Sequence, residues 1–455
     1  MANFPDSSLP VAFNASVVAS IQDRTLQRVF RDSLYPRLLY RMEAVAELWP
    51  VNLGANQTFS RTGLIKPTTR PLSPGVDPTP KGYDIEQWEA TAQQWGDTID
   101  THMPTSYVTL ASQYLRNMHQ LGLHSGQSMN RVVRDKLFNA YTSGNTVVKA
   151  GGVGAGVTVP VVNISGFAFK LFNGRPTPVS AGNPLSITIA GLPFTVVGVT
   201  PDIAGDFVHG GTLTLSAAHA GLVGREPVLA NNRSRVMYSG GGNSVDDVAA
   251  ADQFRLADIR AANAQLRFDN VPTHEDGSYH CHLDPISESQ IFGDNEFQRL
   301  NQSIPDYIHY RRFAAAYLLN TTFYRNTEAP TSATVDEDPA TGFTTGFELK
   351  NATNVAIHRP IFTGLGSIEE KYLDESRYIS EAGIQGKIGE FSIVNGGVQV
   401  MTERVRLILR APLDRLQQQT AATWSFSGDW PIPTDETAKS SPAAYKRAVV
   451  VCHGE

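Results

Sequence analysis

The sequence predicts an α+β protein built around one long helix, with a separate β-rich segment in its middle. Three observations carry this reading. Apolar residues at helical spacing run from about Val108 to Tyr141, and short strand-like runs bounded by Gly, Pro and Asn fill 151–235. A helix, a turn and a buried strand then follow one another from Leu256 to Pro285. At 455 residues the chain is long enough for two to four domains and a sizeable core.

The first 48 residues read as an arm, helical from about 14 to 48 through Val17, Ile21, Val29, Leu38 and Leu39 and interrupted at Pro36. From Trp49 to Tyr107 the texture changes. Pro67, Pro71, Pro74, Pro78 and Pro80 crowd one stretch, where neither a helix nor a central strand persists, so 49–107 reads as two extended arms meeting at a long exposed turn. Ile85, Trp88, Ala92, Trp95 and Ile99 compete with that reading, because their spacing of 3 and 4 favours a helix.

In the long helix, Leu110, Tyr114, Met118 and Leu121 form one stripe, continued by Val133, Leu137 and Tyr141. Gly122 and Gly126 are the places where it would bend or split. Within 151–240 the expected strands are Val157–Ile164, Leu185–Ile189, Phe194–Val199 and Thr212–Leu215, with Ser239 to Asn243 as a flexible return. Next, Leu256, Ile259, Ala262 and Leu266 share one helix face. Asn270-Val271-Pro272 ends that helix, Asp276-Gly277 turns the chain, and Tyr279–Leu283 forms a strand. Ser287 to Phe297 predicts a short helix packing Ile291 and Phe297. The stretch from Tyr307 to Asn320 is aromatic and apolar around Arg311-Arg312, and Thr327 to Asn354 suits a polar loop. Near the end, Val405, Leu407 and Leu409 alternate with Arg404, Arg406, Ile408 and Arg410, and Ala448–Cys452 reads as a final buried strand.

Composition narrows the function classes. A formal charge of −6 argues against a surface wholly devoted to nucleic acid, while leaving room for a local basic face. Two cysteines, Cys281 and Cys452, cannot build a disulfide framework, which favours synthesis in a reducing cytoplasm. The sequence shows neither a basic-then-apolar leader nor a run of about 18 apolar residues, so no membrane partner is expected.

Few residues look like chemistry. His280 and His282 lie on one face of a strand with Cys281 on the other. Two histidines so spaced ligate zinc when a third and fourth ligand join them, and His274 and Asp284 are the nearest candidates. A packed strand is the simpler reading, and no catalytic, cofactor-binding or metal residue is assigned. The glycines of 151–156 lack the Lys-Ser/Thr of a phosphate loop, and no GxSxG elbow exists. Asp246-Asp247 and Glu369-Glu370 read as caps or solvated faces. Arg404, Arg406 and Arg410 form a basic face suited to salt bridges between subunits or to a polyanion.

The order of these pieces resembles the major capsid proteins of tailed bacteriophages, which share the Hong Kong 97-like fold with herpesvirus capsids, and among them the N4-like phages. Pro71–Pro78 followed by Gln94-Trp95-Gly96-Asp97 looks like that family's extended loop and return arm. Val132-Val133-Arg134-Asp135 looks like the end of its spine helix, and Leu256–Ala262, Asp276–Tyr279 and Asp284-Pro285 look like its axial domain. The resemblance covers most of the chain outside 151–235. It implies an extended 85–99, against the helical spacing, and six parts: an arm (1–48), an extended loop (49–107), a peripheral domain with the spine helix (108–150), an inserted β domain (151–240), an axial domain (241–385) and a return to the peripheral domain (386–455).

The function so implied is an icosahedral shell of pentamers and hexamers around double-stranded DNA, without enzymatic activity or cofactors. Scaffold, portal and decoration proteins would be partners, with synthesis in the bacterial cytoplasm and residence in the virion. Arg61, Lys66 and Arg70 would make inter-subunit contacts. The competing readings are a metal-dependent enzyme centred on His280 and His282, and a tail or fibre protein built on the β-rich segment.

Overall fold

The computed structural model describes residues 21, 24–34, 39–49, 54–62, 67–69, 71, 75, 77–82, 85–108, 113–172, 175–205, 210–302, 317–330, 337–338, 343–344, 350–375, 384, 386–388, 391–394, 397–410, 416, 418–432, 437–438 and 446–455. The expectations for Val17, Pro36, Leu38, Lys66, Arg70 and most of 307–320 fall outside them. The chain divides into two compact units. One comprises Met1–Gln57, Ala90–Val133 and Glu369–Trp430; the other comprises Thr58–Glu89, Arg134–Ile368 and Pro431–Glu455.

The first unit is a sheet with helices. Its strands run in the order Ala44–Leu48, Ile368–Tyr372, Gln419–Asp429, Val405–Arg410, Gly397–Thr402, Phe391–Val394 and Gly386–Ile388, and Gln93–His102 also pairs with Gln419–Asp429. The last pairing is an antiparallel ladder from Gln419↔His102 to Gly428↔Gln93. Residues 85–99 are therefore extended, in Ile85–Thr91 and Gln93–His102, and the helical spacing misleads. A spacing of four is even, so Trp95 and Ile99 share a face in a strand as well as in a helix. Trp95 packs against Trp430 at 5.0 Å and Phe426 at 6.0 Å, contacts that decide the competition.

The expected arm helix is shorter than its pattern. Thr25–Leu34 is helical and buries Leu26, Phe30 and Leu34, but Ala44–Leu48 is a strand, held as one edge of the sheet by hydrogen bonds to Ile368–Tyr372. The spine helix runs unbroken from Gln113 to Tyr141, about 43 Å at ~1.5 Å per residue, and neither Gly122 nor Gly126 splits it. Gly122 serves close approach instead. A Cβ there would fall on the Ser33 hydroxyl and 2.7 Å from the Phe30 carbonyl oxygen, so its absence lets the two helices touch backbone to backbone.

Two of the sheets in the second unit have separate cores. One is antiparallel, in the order Asn145–Val147, Pro227–Ala230, Leu185–Ile189, Leu192–Pro201, Gly211–His219 and Gly156–Val161. It closes on itself. Val148 bridges Val161, the Lys149 amide donates to the Pro160 carbonyl at 3.0 Å, and the Val162 amide donates to Val147 at 3.1 Å. The result is a six-stranded barrel whose interior is filled by Val159, Val161, Ile187, Ile189, Leu213 and neighbours. Closure removes the edges that an open sheet leaves available to other chains. The β-rich character of 151–235 is as expected, although the first strand precedes Gly151.

The other sheet runs Val236–Tyr238, Ala448–Gly454, Ile361–Thr363, Tyr279–Leu283, Thr321–Arg325 and Tyr317–Leu318, with Ile357–His358 also on Ala448–Gly454. Ala448–Gly454 is buried along its whole length. Residues 386–455 thus divide between two sheets: Val405–Arg410 joins the first unit, while Ala448–Gly454 lies inside the sheet of Tyr279–Leu283. Helix Leu256–Phe268 presents Leu256, Ile259, Ala262 and Leu266 to a core shared with Tyr279, Cys281, Leu283, Val449 and Val451. The helix ends as its sequence dictates. Asn270 adopts φ 54°, and the Val271 amide caps the Leu266 carbonyl at 3.0 Å. Asp284 caps the next helix, Pro285–Gly293, and Asn295–Gln302 follows it; Ile291 and Phe297 are both buried.

Gly122→Ala gains about 1 kcal/mol of helix propensity but forces overlap with the Ser33 and Phe30 positions, typically ~1–3 kcal/mol. We expect lower stability in urea denaturation. A stabilised variant would show that the helices are not in backbone contact.

Candidate functional site

The His-Cys-His strand is set up by the turn before it. Gly277 takes φ 77°, a conformation that L side chains rarely adopt, and its amide donates to the His274 carbonyl at 2.9 Å. The Asp276 carboxylate accepts from the Ser278 hydroxyl (2.7 Å), the Ser278 amide (3.0 Å) and His280 Nε2 (3.1 Å). What burial it has raises its pKa, but these donors outweigh that and pull it down to about 2.

Alternation then separates the two faces of the strand. Tyr279, Cys281 and Leu283 enter the helix-covered core, and His280 and His282 occupy the other side. His280 stacks on His274 with ring centres 3.8 Å apart and planes 5° from parallel; His274 Nε2 donates to the Thr363 carbonyl at 3.2 Å. His282 stacks on Tyr324 at 5.6 Å, and His280 meets the edge of the same ring at 5.0 Å. Asp284, the fourth expected ligand, is engaged elsewhere, with the Ile286 amide and His358. His274 and His280 lie together, but His282 and Asp284 do not join them in one ligand set.

A second titratable group surrounds Asp284 and was not foreseen. Asp284 Oδ2 sits 2.8 Å from His358 Nδ1, and His358 Nε2 sits 3.0 Å from Glu455 Oε2. Ser287 donates to the other Asp284 oxygen, and its hydroxyl lies 2.6 Å from His453 Nε2. Burial opposes charge on Asp284 and His358, but each overcomes it in the other: Asp284 falls below the usual carboxylate range and His358 rises above the usual imidazole range. Glu455 adds to the rise of His358.

In the first unit the strongest polar contact is also one that spacing did not announce. Arg41 is buried and donates from Nε and Nη2 to the two oxygens of Glu370, at 2.8 and 2.7 Å; Glu370 is wholly buried. Glu370 is thus neither a cap nor a solvated residue. It also receives Arg404 at 2.9 Å. Burial pushes its carboxyl up, but the Arg41 and Arg404 guanidinium groups outweigh burial and hold it below the usual range.

The residues of the expected basic face have separate surroundings. Arg404 sits not on the strand but in the two-residue turn before it, with Glu403 at φ 50° and Arg404 at φ 63°. Arg406 lies 2.7 Å from Glu375 and 3.1 Å from the Ser425 hydroxyl. Arg410, at the end of the strand, is exposed. Of the residues expected on the extended loop, Arg61 lies in the strand Asn56–Thr62, which pairs with Ile85–Thr91 as a two-stranded ribbon.

No protein-family profile and no curated protein matches the chain. Solved structures similar to it include the capsid asymmetric unit of cyanophage Pam1, at 10% identity and TM-score 0.49, covering 94% of this chain and 93% of that one. Others are the capsid of cyanophage P-SCSP1u, at 11% identity and TM-score 0.42 over 90% and 86% of the two chains, and that of Ralstonia phage GP4, at 13% and 0.42 over 90% and 87%. These structural neighbours are phage capsid proteins.

Glu370→Gln leaves buried Arg41 without a full counter-charge and should cost about 3–5 kcal/mol, whereas Arg404→Gln, at a partly exposed pair, should cost less than ~1 kcal/mol. Because the folded carboxyl titrates below the unfolded one, its contribution is present above the unfolded pKa and is lost as pH falls through the folded value. Denaturation midpoints of both variants between pH 7 and 3 measure this; equal losses at pH 7 would refute the assignment.

Proposed function

We propose that the chain is a major capsid protein of a tailed bacteriophage, assembling as pentamers and hexamers into an icosahedral shell around double-stranded DNA. The observation that carries this reading is the ribbon of Asn56–Thr62 and Ile85–Thr91. It is joined by a proline-rich connection whose described residues are exposed, and it stands in order before the spine helix. A two-stranded ribbon is marginal alone in water. Phe59 stacks on Trp88 across it at 6.0 Å, and a neighbouring subunit under the ribbon supplies the remaining burial. Such contacts repeat around a closed ring when each subunit gives its loop to the next.

In this reading the first unit, with the spine helix, corresponds to the peripheral domain, and the sheet of Tyr279–Leu283 with helix Leu256–Phe268 to the axial domain. The barrel is an insertion that braces or decorates the shell. Arg61, Lys66 and Arg70 contact the adjacent subunit, and Arg410 is the member of the basic trio best placed for the same role. Scaffold, portal and decoration proteins are the expected partners, and the shell is made in the host cytoplasm.

The full chain, co-expressed with a scaffold from the same phage, should form closed shells by electron microscopy. Replacing 63–84 with a short Gly-Ser turn should leave a folded chain that makes no shells. Persistent monomers of the unaltered chain with scaffold present would overturn the reading.

A further inference from the structure

The polar group around Asp284 ties together segments distant in sequence. We propose that Asp284, His358, His453 and Glu455 form an acid-sensitive latch that fastens the end of strand Ala448–Gly454 to the start of helix Pro285–Gly293. The inference concerns the second unit alone and is independent of whether the chain builds shells.

The geometry is that of a fastener. His358 stands between two carboxylates, Asp284 at 2.8 Å and Glu455 at 3.0 Å. His453, directly opposite it in the ladder, stacks on it at 5.3 Å and 18°, and Phe254 also stacks on His453 at 5.4 Å. The Ser287 hydroxyl donates to Asp284 and lies against His453 Nε2, while His453 Nδ1 faces the Gly454 carbonyl at 3.4 Å. Gln290 adds a bond to the Gly454 carbonyl at 3.0 Å, the Gly454 amide donates to Asp252, and the Glu455 amide donates to Ala356. Nearby charges are committed elsewhere: the Asp252 carboxylate accepts from the Ala249 amide, Glu288 holds Arg325, and Arg359 faces Cys452.

Acid acts on this arrangement through His453. Its ring is wholly buried, and a proton on it would place a second positive charge against His358. Burial is the main cause that lowers its pKa from 6.5 to about 4; the Asp284 charge pulls it back up, and the His358 charge adds to the fall. A histidine depressed in the closed form stabilises that form above 6.5 and ceases to do so as pH falls toward 4. His358 has the opposite sign, its contribution being complete below 6.5 and lost at higher pH. The closed state is therefore favoured most near pH 6.5, and acidification from there opens it. With an ordinary imidazole in the open form, the opening equilibrium should rise roughly tenfold between pH 6.5 and 5.

Hydrogen exchange on the full chain tests this, with rates corrected for intrinsic pH dependence. Peptides covering 448–455 and 284–292 should lose protection together, about tenfold, from pH 6.5 to 5, while barrel peptides do not change. His453→Gln should keep protection at pH 6.5 and lose the pH step; a step that persists would overturn the latch. Should that variant fail to fold, exchange at the imidazole C2 position reads each histidine in the unaltered protein. Titration of His453 below pH 5 supports the proposal, and titration near 6.5 ends it.

Discussion

Much of the first unit depends on one buried ion pair. Arg41 and Glu370 are 329 positions apart, and their two parallel bonds join the segment after the arm helix to the strand Ile368–Tyr372. Each charge is tolerable in the interior only because the other is there, since an isolated buried ion is far more costly than a buried pair. The constraint spreads outward. Phe426 covers the Arg41 guanidinium at 5.2 Å and stacks on Trp430, which in turn receives Trp95. Arg404, though in a turn of two left-handed residues, is held there by the same carboxylate. A strained turn, an aromatic cluster and a strand edge thus share one electrostatic anchor.

The second unit is organised by a strand instead of a charge. Ala448–Gly454 pairs in parallel with Val236–Tyr238 and antiparallel with Ile361–Thr363 and Ile357–His358. Its pairings join residues far apart in sequence, the kind of contact that slows folding because loop closure precedes it. The polar contacts around Asp284 lie where this strand ends and a helix begins.

Local grammar made part of this legible. Residues 256 to 285 were readable nearly in full, because a helical stripe, an Asn-Val-Pro stop and an Asp-Gly turn each have one dominant physical solution. The helical stripe of 113–141 was equally plain. Residues 44–48 and 85–99 were harder, since the local pattern favoured a helix and only pairing with Ile368–Tyr372, Asn56–Thr62 or Gln419–Asp429 decides. The ion pair of Arg41 with Glu370 and the bonds of His358 with Asp284 left no trace in spacing. Their partners come from separate parts of the chain, and a lone sequence does not encode which distant charge an arginine will meet. The histidines of 280–282 left two readings open in sequence, a packed strand being the simpler; in the sheet His280 stacks on His274 and His282 on Tyr324.

The two ends of the barrel segment are fastened to each other. The Ala230 amide donates to Gly144 at 2.8 Å, the Ser234 amide to Ser143 at 2.9 Å, and the Ser143 and Ser234 hydroxyls meet at 2.7 Å. Once folded, its nearly ninety residues behave toward the remaining chain as a connection of a few residues, adding little loop-closure entropy to the sheet assembled around it. Changes of length far from the joined ends therefore act on the remaining chain mainly through the few places where the segment touches it, among them Asn139 and Thr437–Ala438.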